Sequence, residues 1–232
     1  TTDTPLNEHQ IEPRPLEEEI EFILKTANDY LENAPTRQDV LSVFAGLRPL
    51  AAPTDNDSNS TKEISRDHKL IKSKSDVITI TGGKWTTYRK MAEETVDMAI
   101  KVGGLQPNNC VTTTLQIHGY ATERQSGHWQ VYGSDTPQIL SLAKENPLLA
   151  TKLHEDFDFI EAEVVWACRN EMIYNIEDFL ARRVRFLLLD AKASLEAAPR
   201  VATIMAEELQ KDENWIKSQL DDYAKLVKNY TL

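Results

Sequence analysis

Residues 77–87, VITITGGKWTT, carry the strongest candidate chemistry in the chain. A β-branched apolar run ends on Gly82-Gly83, and the chain then passes through Lys84, Thr86 and Thr87 into a helical period. Glycines let a backbone approach a ligand closely, and a helix N-terminus presents unpaired N–H groups with partial positive charge. Lys84 sits where an ammonium could meet an anion or a polar ring, while Thr86 or Thr87 can cap the helix or donate a hydroxyl outward. A plain turn with a capping threonine has the same composition.

Two arginines extend the pattern. Arg48, in Gly46-Leu47-Arg48-Pro49, terminates an apolar run, and Arg66 opens the next strand-like stretch. A guanidinium at the margin of a core needs a carboxylate or a phosphate for its fork, and a structural salt bridge serves as well as a ligand. Residues 62–90 hold eight Lys/Arg against three acids, in a chain whose net charge is −11. A basic island in an acidic protein concentrates small anions by field focusing, although a solvated hairpin face carries charge in the same way.

Other chemistry is thinly represented. Glu177 and Asp178 stand near i,i+4 from Arg182, the spacing of intrahelical ion pairs. The five histidines show no metal-ligand spacing, and His68 and His118 read as satisfied surface or strand residues. Cys110 and Cys168 are too far apart in sequence for a CxxC unit, so neither a disulfide framework nor a zinc site is expected. Trp85, Trp129, Trp166 and Trp215 read as core or interface aromatics. The acidic balance argues against nucleic-acid binding, and no apolar run is long enough to span a bilayer. Two cysteines without pairing signals fit a reducing compartment best.

The elements that must hold these residues follow from periodicity. Pro15 and the acidic triplet Glu17–Glu19 open a helix over 15–33, with a stripe of Leu16, Ile20, Ile23, Leu24, Ala27, Tyr30 and Leu31. Residues 40–45 read as a buried strand, and 53–63 as a mobile loop of turn chemistry. Strands are expected at 66–72 and 77–81, then a helix over 87–102 stopped by Gly103-Gly104. Beyond about 120 helical periods dominate, at 136–145, 147–154, 160–173, 176–189, 199–210 and 212–228, the last N-capped by Asp212. The reading is α+β: a partial antiparallel-sheet segment over 1–118, followed by an all-α helical bundle over 119–232.

The order of these features resembles one family. TTDT at 1–4, AGLRPL at 45–50, ISRDH at 64–68 and TGGKWTTYRKMAE at 81–93 are similar to stretches of the FAD-dependent glycerol-3-phosphate dehydrogenases. VYGSDTP at 131–137, EVVWACRNEMIYNIEDFLARRVR at 163–185 and LLLDAKASLEAAPRVATIMAEEL at 187–209 resemble that family's C-terminal helical domain. Family members are more than twice as long, and their glycine-rich dinucleotide fingerprint has no counterpart here. The resemblance therefore implies a C-terminal portion: 1–118 as part of the FAD- and substrate-binding region without its Rossmann half, and 119–232 as the helical domain.

What the resemblance implies is oxidation of sn-glycerol 3-phosphate to dihydroxyacetone phosphate by hydride transfer to FAD, with electrons passed to a quinone. Arg48 and Arg66 match substrate-pocket arginines, and Lys84 matches a lysine near the flavin and the substrate oxygens, so Lys84 and Arg48 are the expected catalytic residues. Gly82, Gly83, Lys84, Thr86 and Thr87 are the expected cofactor-binding residues. FAD belongs to the full-length protein, and this stretch alone is expected neither to retain it nor to turn over substrate. A dioxygen-using oxidase and a non-enzymatic helical interaction module are the alternatives. Glycerol 3-phosphate and a quinone are the implied partners, with a homodimer and peripheral attachment to the cytoplasmic face of the inner membrane left open, and a cytoplasmic location expected.

Overall fold

The computed structural model of the chain describes residues 2–5, 10–48 and 67–232. These residues gather into two units, one of 2–3, 10–46 and 118–232, the other of 4–5, 47–48 and 67–117. We refer to them as the helical unit and the hairpin unit. Together they form an α+β protein whose sheet has two strands.

The hairpin unit is built on a turn. Ser73 accepts through its hydroxyl from Val77 N (3.0 Å) and Ser75 N (3.3 Å), while Asp76 takes the left-handed conformation at φ 62°. That geometry pairs β1 (His68–Lys72) antiparallel to β2 (Ile78–Gly82), with His68 opposite Gly82 and Leu70 opposite Ile80. A single 3₁₀ turn over Trp85–Thr87 leads into α2 (Tyr88–Gly103), which Gly104 closes at φ 61° as the left-handed residue past the end. Both strands and the helix fall where the sequence pattern puts them.

The helical unit holds the core. α1 (Glu17–Asn28) is shorter than the expected 15–33, and Ile20 is its one buried residue. α3 (Thr136–Glu145) and α7 (Glu213–Val227) match expectation, the latter with Asp212 accepting from Trp215 N at 2.9 Å. α4 (Glu161–Asn170) is buried along most of its length and packs against α6 (Ala191–Leu209), which in turn packs against α7. Phe179, Phe186, Ile139, Ile173 and Met205 are fully enclosed.

Four sequence expectations are corrected. Residues 40–45 are extended but form no strand, because their neighbours are single backbone groups at helix ends: Val43 N donates to Tyr230 O (2.9 Å), and Leu41 O accepts from Ala191 N (3.1 Å). The same bonds place 10–46 with the helical unit. The period over 147–154 reduces to a 3₁₀ turn, Pro147–Ala150, capped by Asn146. The helix expected over 176–189 is a π-helical turn (Asp178–Arg183) and a short α5 (Phe186–Leu189), separated by Arg185 at φ 55°. Finally, α6 starts not at Pro199 but at Ala191, where Asp190 accepts from Ala193 N (2.9 Å), and runs on through the proline. The loop expected at 53–63 lies outside the described residues.

Candidate functional site

The turn between β2 and α2 is held open to a ligand by its backbone. Gly82 and Gly83 sit at φ 74° and φ 89°, a region that only glycine enters without strain. At Gly83 a Cβ would also come within 2.6 Å of Met91 Sδ and 3.1 Å of His68 Cβ, so one side of this residue is filled by α2 and β1. The chain then extends through Lys84 (φ −128°, ψ 146°) before turning into Trp85–Thr87.

No side chain among the described residues caps this turn or α2. Thr87 occupies the N-cap position of α2, yet its hydroxyl donates back to Lys84 O at 3.0 Å instead of accepting from the helix. The 3₁₀ turn satisfies part of this start, Thr87 N donating to Lys84 O (3.0 Å) and Tyr88 N to Trp85 O, so the N–H groups left to an incoming acceptor, with their partial positive charge, are those at the head of the Trp85–Thr87 turn. Lys84 and Thr86 are exposed beside them, and Lys84 makes no ion pair with a described residue. Trp85, 85% exposed, stacks on Tyr88 with ring centroids 5.2 Å apart, so it is a surface aromatic and not a core one.

The neighbouring cations are spent within α2. Arg89 binds Glu93 at 3.0 Å, and Lys90 reaches Glu93 at 3.3 Å and Glu94 at 3.6 Å. The hydrogen bond from Arg89, then that from Lys90, holds the Glu93 carboxyl below its ordinary range. Across from them, His68 Nε2 lies 2.7 Å from Glu94 Oε2, and that hydrogen bond is the first cause holding Glu94 low as well. Of the basic island's described members on α2 and its turn, Lys84 is the one left for a ligand.

Of the residues picked out by sequence, Gly82, Gly83, Lys84, Thr86 and Thr87 share this single turn. Arg48 is exposed and belongs to the same unit. Arg66 lies outside the described residues. The sequence reading missed the part played by His68 and Glu94, which follows from the strand register: a turn at 73–77 sets His68 opposite Gly82. In the helical unit Arg182 pairs with Asp178 (3.0 Å) and Glu177, as the spacing predicts. Among the described residues no group of three His, Cys, Asp or Glu is placed to hold a metal ion, and no helix is long and apolar enough to cross a membrane.

Comparison with known proteins gives this turn a setting. The mitochondrial glycerol-3-phosphate dehydrogenase of Arabidopsis thaliana is 37% identical over 250 residues, covering 94% of this chain and 39% of the relative. The human mitochondrial glycerol-3-phosphate dehydrogenase is 35% identical over 250 residues, covering 98% of this chain and 34% of the relative. This chain thus spans well under half the length of these relatives. Among solved structures, the glycerol-3-phosphate dehydrogenase from Bacillus halodurans, complexed with FAD, superposes with a TM-score of 0.75 at 26% identity, covering 98% of this chain and 48% of that one. Residues 73–215, which begin in the hairpin and run through the helical unit into α7, match the family described as the C-terminal domain of alpha-glycerophosphate oxidase, and the chain belongs to that family.

Proposed function

We propose that the chain is the C-terminal portion of a flavoprotein that oxidises sn-glycerol 3-phosphate to dihydroxyacetone phosphate. The observation that carries this reading is the 3₁₀ turn leading into α2, uncapped by any side chain and set behind two left-handed glycines, with an exposed ammonium beside it. Such a cradle fits the edge of a flavin, whose electron-rich oxygens would meet N–H groups and Lys84, while the glycines supply the left-handed backbone that forms the cradle. The bound flavin would supply a hydride acceptor.

The rest of the work falls to side chains of this chain. The Lys84 ammonium would stabilise negative charge developing on the substrate oxygen as the carbon–hydrogen bond breaks. Arg48 and Arg66 would hold the phosphate by bidentate hydrogen bonds, fixing the triose in one orientation. Thr86 would offer a hydroxyl to the cofactor, whereas Thr87 stiffens the turn through Lys84 O. The helical unit would serve packing and assembly, with homodimer contacts and peripheral attachment to a membrane among its roles. A quinone is the acceptor we favour, since the relatives above are named dehydrogenases, whereas the family description names an oxidase.

The experiment is kinetic. In the full-length protein Lys84→Ala should lower kcat for glycerol 3-phosphate roughly 100- to 1000-fold, and Arg48→Ala should mainly raise KM. Near-normal activity in both would favour a non-enzymatic interaction module. Hydrogen peroxide formed in step with substrate would make dioxygen the acceptor and remove the quinone. Residues 1–232 alone should show neither flavin absorbance nor dye reduction; either signal would overturn the inactivity of the isolated chain.

A further inference from the structure

We infer that the His68–Glu94 pair is a positioning device for the Gly82–Thr87 turn, and that His68 sets the place of Lys84 without touching substrate itself. Its catalytic consequence rests on the flavin reading above; its structural consequence does not.

A helix entering from a loop is usually anchored by an N-cap side chain, and α2 has none among the described residues. The Trp85–Thr87 turn satisfies Thr87 N and Tyr88 N through its own backbone but ties nothing to the sheet, so that anchor has to come from the side. His68 supplies it. The strand register places it opposite Gly82, where no side chain competes for the space. Its Cβ lies against Gly83, at 3.1 Å from where a Cβ would be, and its Nε2 reaches Glu94 at 2.7 Å. One imidazole, 18% exposed, therefore ties β1 to the second turn of α2 across the glycine pair.

Met91 completes the enclosure, lying on the same side of Gly83. Lys90 Nζ, at 3.6 Å from Glu94 Oε1, leaves Oε2 to the histidine. The Lys84 ammonium forms no ion pair with a described residue, and what holds the residue is its backbone, whose carbonyl accepts from Thr87 N and Thr87 Oγ1, both at 3.0 Å. Its position is inherited from the backbone between Gly83 and Trp85, and the clamp restrains that backbone. Loosening the clamp should let the turn fluctuate, and a misplacement of about 1 Å can cost as much as 100-fold in rate.

The test uses the full-length protein, with His68→Ala, His68→Gln and Glu94→Gln. Amide hydrogen exchange over 82–90 should speed up at least about tenfold in His68→Ala and Glu94→Gln, while exchange over 213–227 stays as it was. His68→Gln, whose amide can reach Glu94, should restore most of the protection. Turnover should separate in the same way: kcat falls roughly 10- to 100-fold in His68→Ala with KM little changed. In a Lys84→Ala background the same substitution should alter kcat by less than about twofold, because it acts through the lysine. Unchanged exchange over 82–90 in both clamp variants overturns the proposal. So does an undiminished kcat effect in the Lys84→Ala background. If Lys84→Ala alone leaves activity intact, the flavin reading fails, and exchange over 82–90 still decides the clamp. Should His68→Ala fail to fold, the near-isosteric Glu94→Gln carries the same readings.

Discussion

The two units obey the same local rules and differ in what they bury. Every buried hydrophobic side chain among the described residues belongs to the helical unit; the hairpin unit has none. Its strands pair in good register, its turn is fully hydrogen-bonded and its helix is properly closed, yet Ile71, Val77, Val96 and Leu105 are all exposed. Local structure follows from turn chemistry and periodicity, whereas a core needs area that one hairpin and one helix do not supply. The unit carrying the candidate site is thus the one whose apolar side chains are left most exposed.

The largest expected effect tests the contrast directly. Phe179 and Phe186 are fully enclosed, and truncating either to alanine should cost the helical unit about 3–5 kcal/mol, read by urea unfolding followed by tryptophan fluorescence. Ile80→Ala in the hairpin unit should cost under ~1 kcal/mol, because its side chain is already 37% exposed. Comparable losses in the two units would mean that the hairpin unit has a core of its own.

Glu163 sharpens the comparison from the polar side. It is fully enclosed, accepts from Tyr132 OH (2.8 Å) and Ile160 N (2.6 Å), and has His128 Nε2 at 3.3 Å without hydrogen-bond alignment. Glu163→Ala strands those donors in a dry site and should cost about 3 kcal/mol; Glu163→Gln, which keeps one acceptor, about 1–2 kcal/mol. The half-buried carboxylates of α2 should respond far less. Glu93→Ala should shift the same unfolding curves much less than Glu163→Ala, since its partner Lys90 is exposed and Arg89 half-exposed, so that solvent screens the pairs.

Which parts of the molecule the sequence discloses follows the same division. The hairpin, α2 and α7 are legible because their signals are local: Lys74-Ser75-Asp76 at a turn, Gly103-Gly104 at a stop, Asp212 at a cap. The candidate turn is legible for the same reason, being contiguous from Gly82 to Thr87. Where tertiary packing decides, the pattern misleads. The apolar run 40–45 has the composition of a strand but meets only Tyr230 O and Ala191 N. Phe186 and Leu187 are drawn into the core by a left-handed break at Arg185 that periodicity does not register. Pro199 reads as a helix start, although Asp190 already offers a better cap nine residues before it. The partnership of His68 with Glu94 needs the register and the helix direction together, and neither residue announces it alone.

Alkaline pH should act on the helical unit through its phenols. Burial pushes Tyr132 and Tyr223 well above the ordinary phenol range, and burial with the Glu12 hydrogen bond raises Tyr230 to about 12. Burial likewise raises the Cys168 thiol to about 12. In each case folding favours the neutral form, so the stabilisation is complete below the unfolded value, about 10 for a phenol, and is lost as pH rises through the folded one. Thermal midpoints should therefore fall between about pH 9 and pH 12. Tyr230→Phe should flatten that fall, and a midpoint indifferent to pH over this window would contradict the burial of these groups.

The smallest effect separates a helix that is capped from one that is not. Asp212 accepts from Trp215 N at 2.9 Å at the start of α7, and Asp212→Ala should cost about 1 kcal/mol of helical-unit stability. Thr87 has the corresponding place on α2 but turns its hydroxyl to Lys84 O. Thr87→Ala should therefore cost no more than ~0.5 kcal/mol in unfolding, the scale of an exposed hydroxyl that satisfies no helix N–H. If Thr87→Ala proved as costly as Asp212→Ala, its hydroxyl would be capping α2 in solution. The N–H groups of the first turn of α2 would then be occupied, and only those at the head of the Trp85–Thr87 turn would be left for an anion or a flavin.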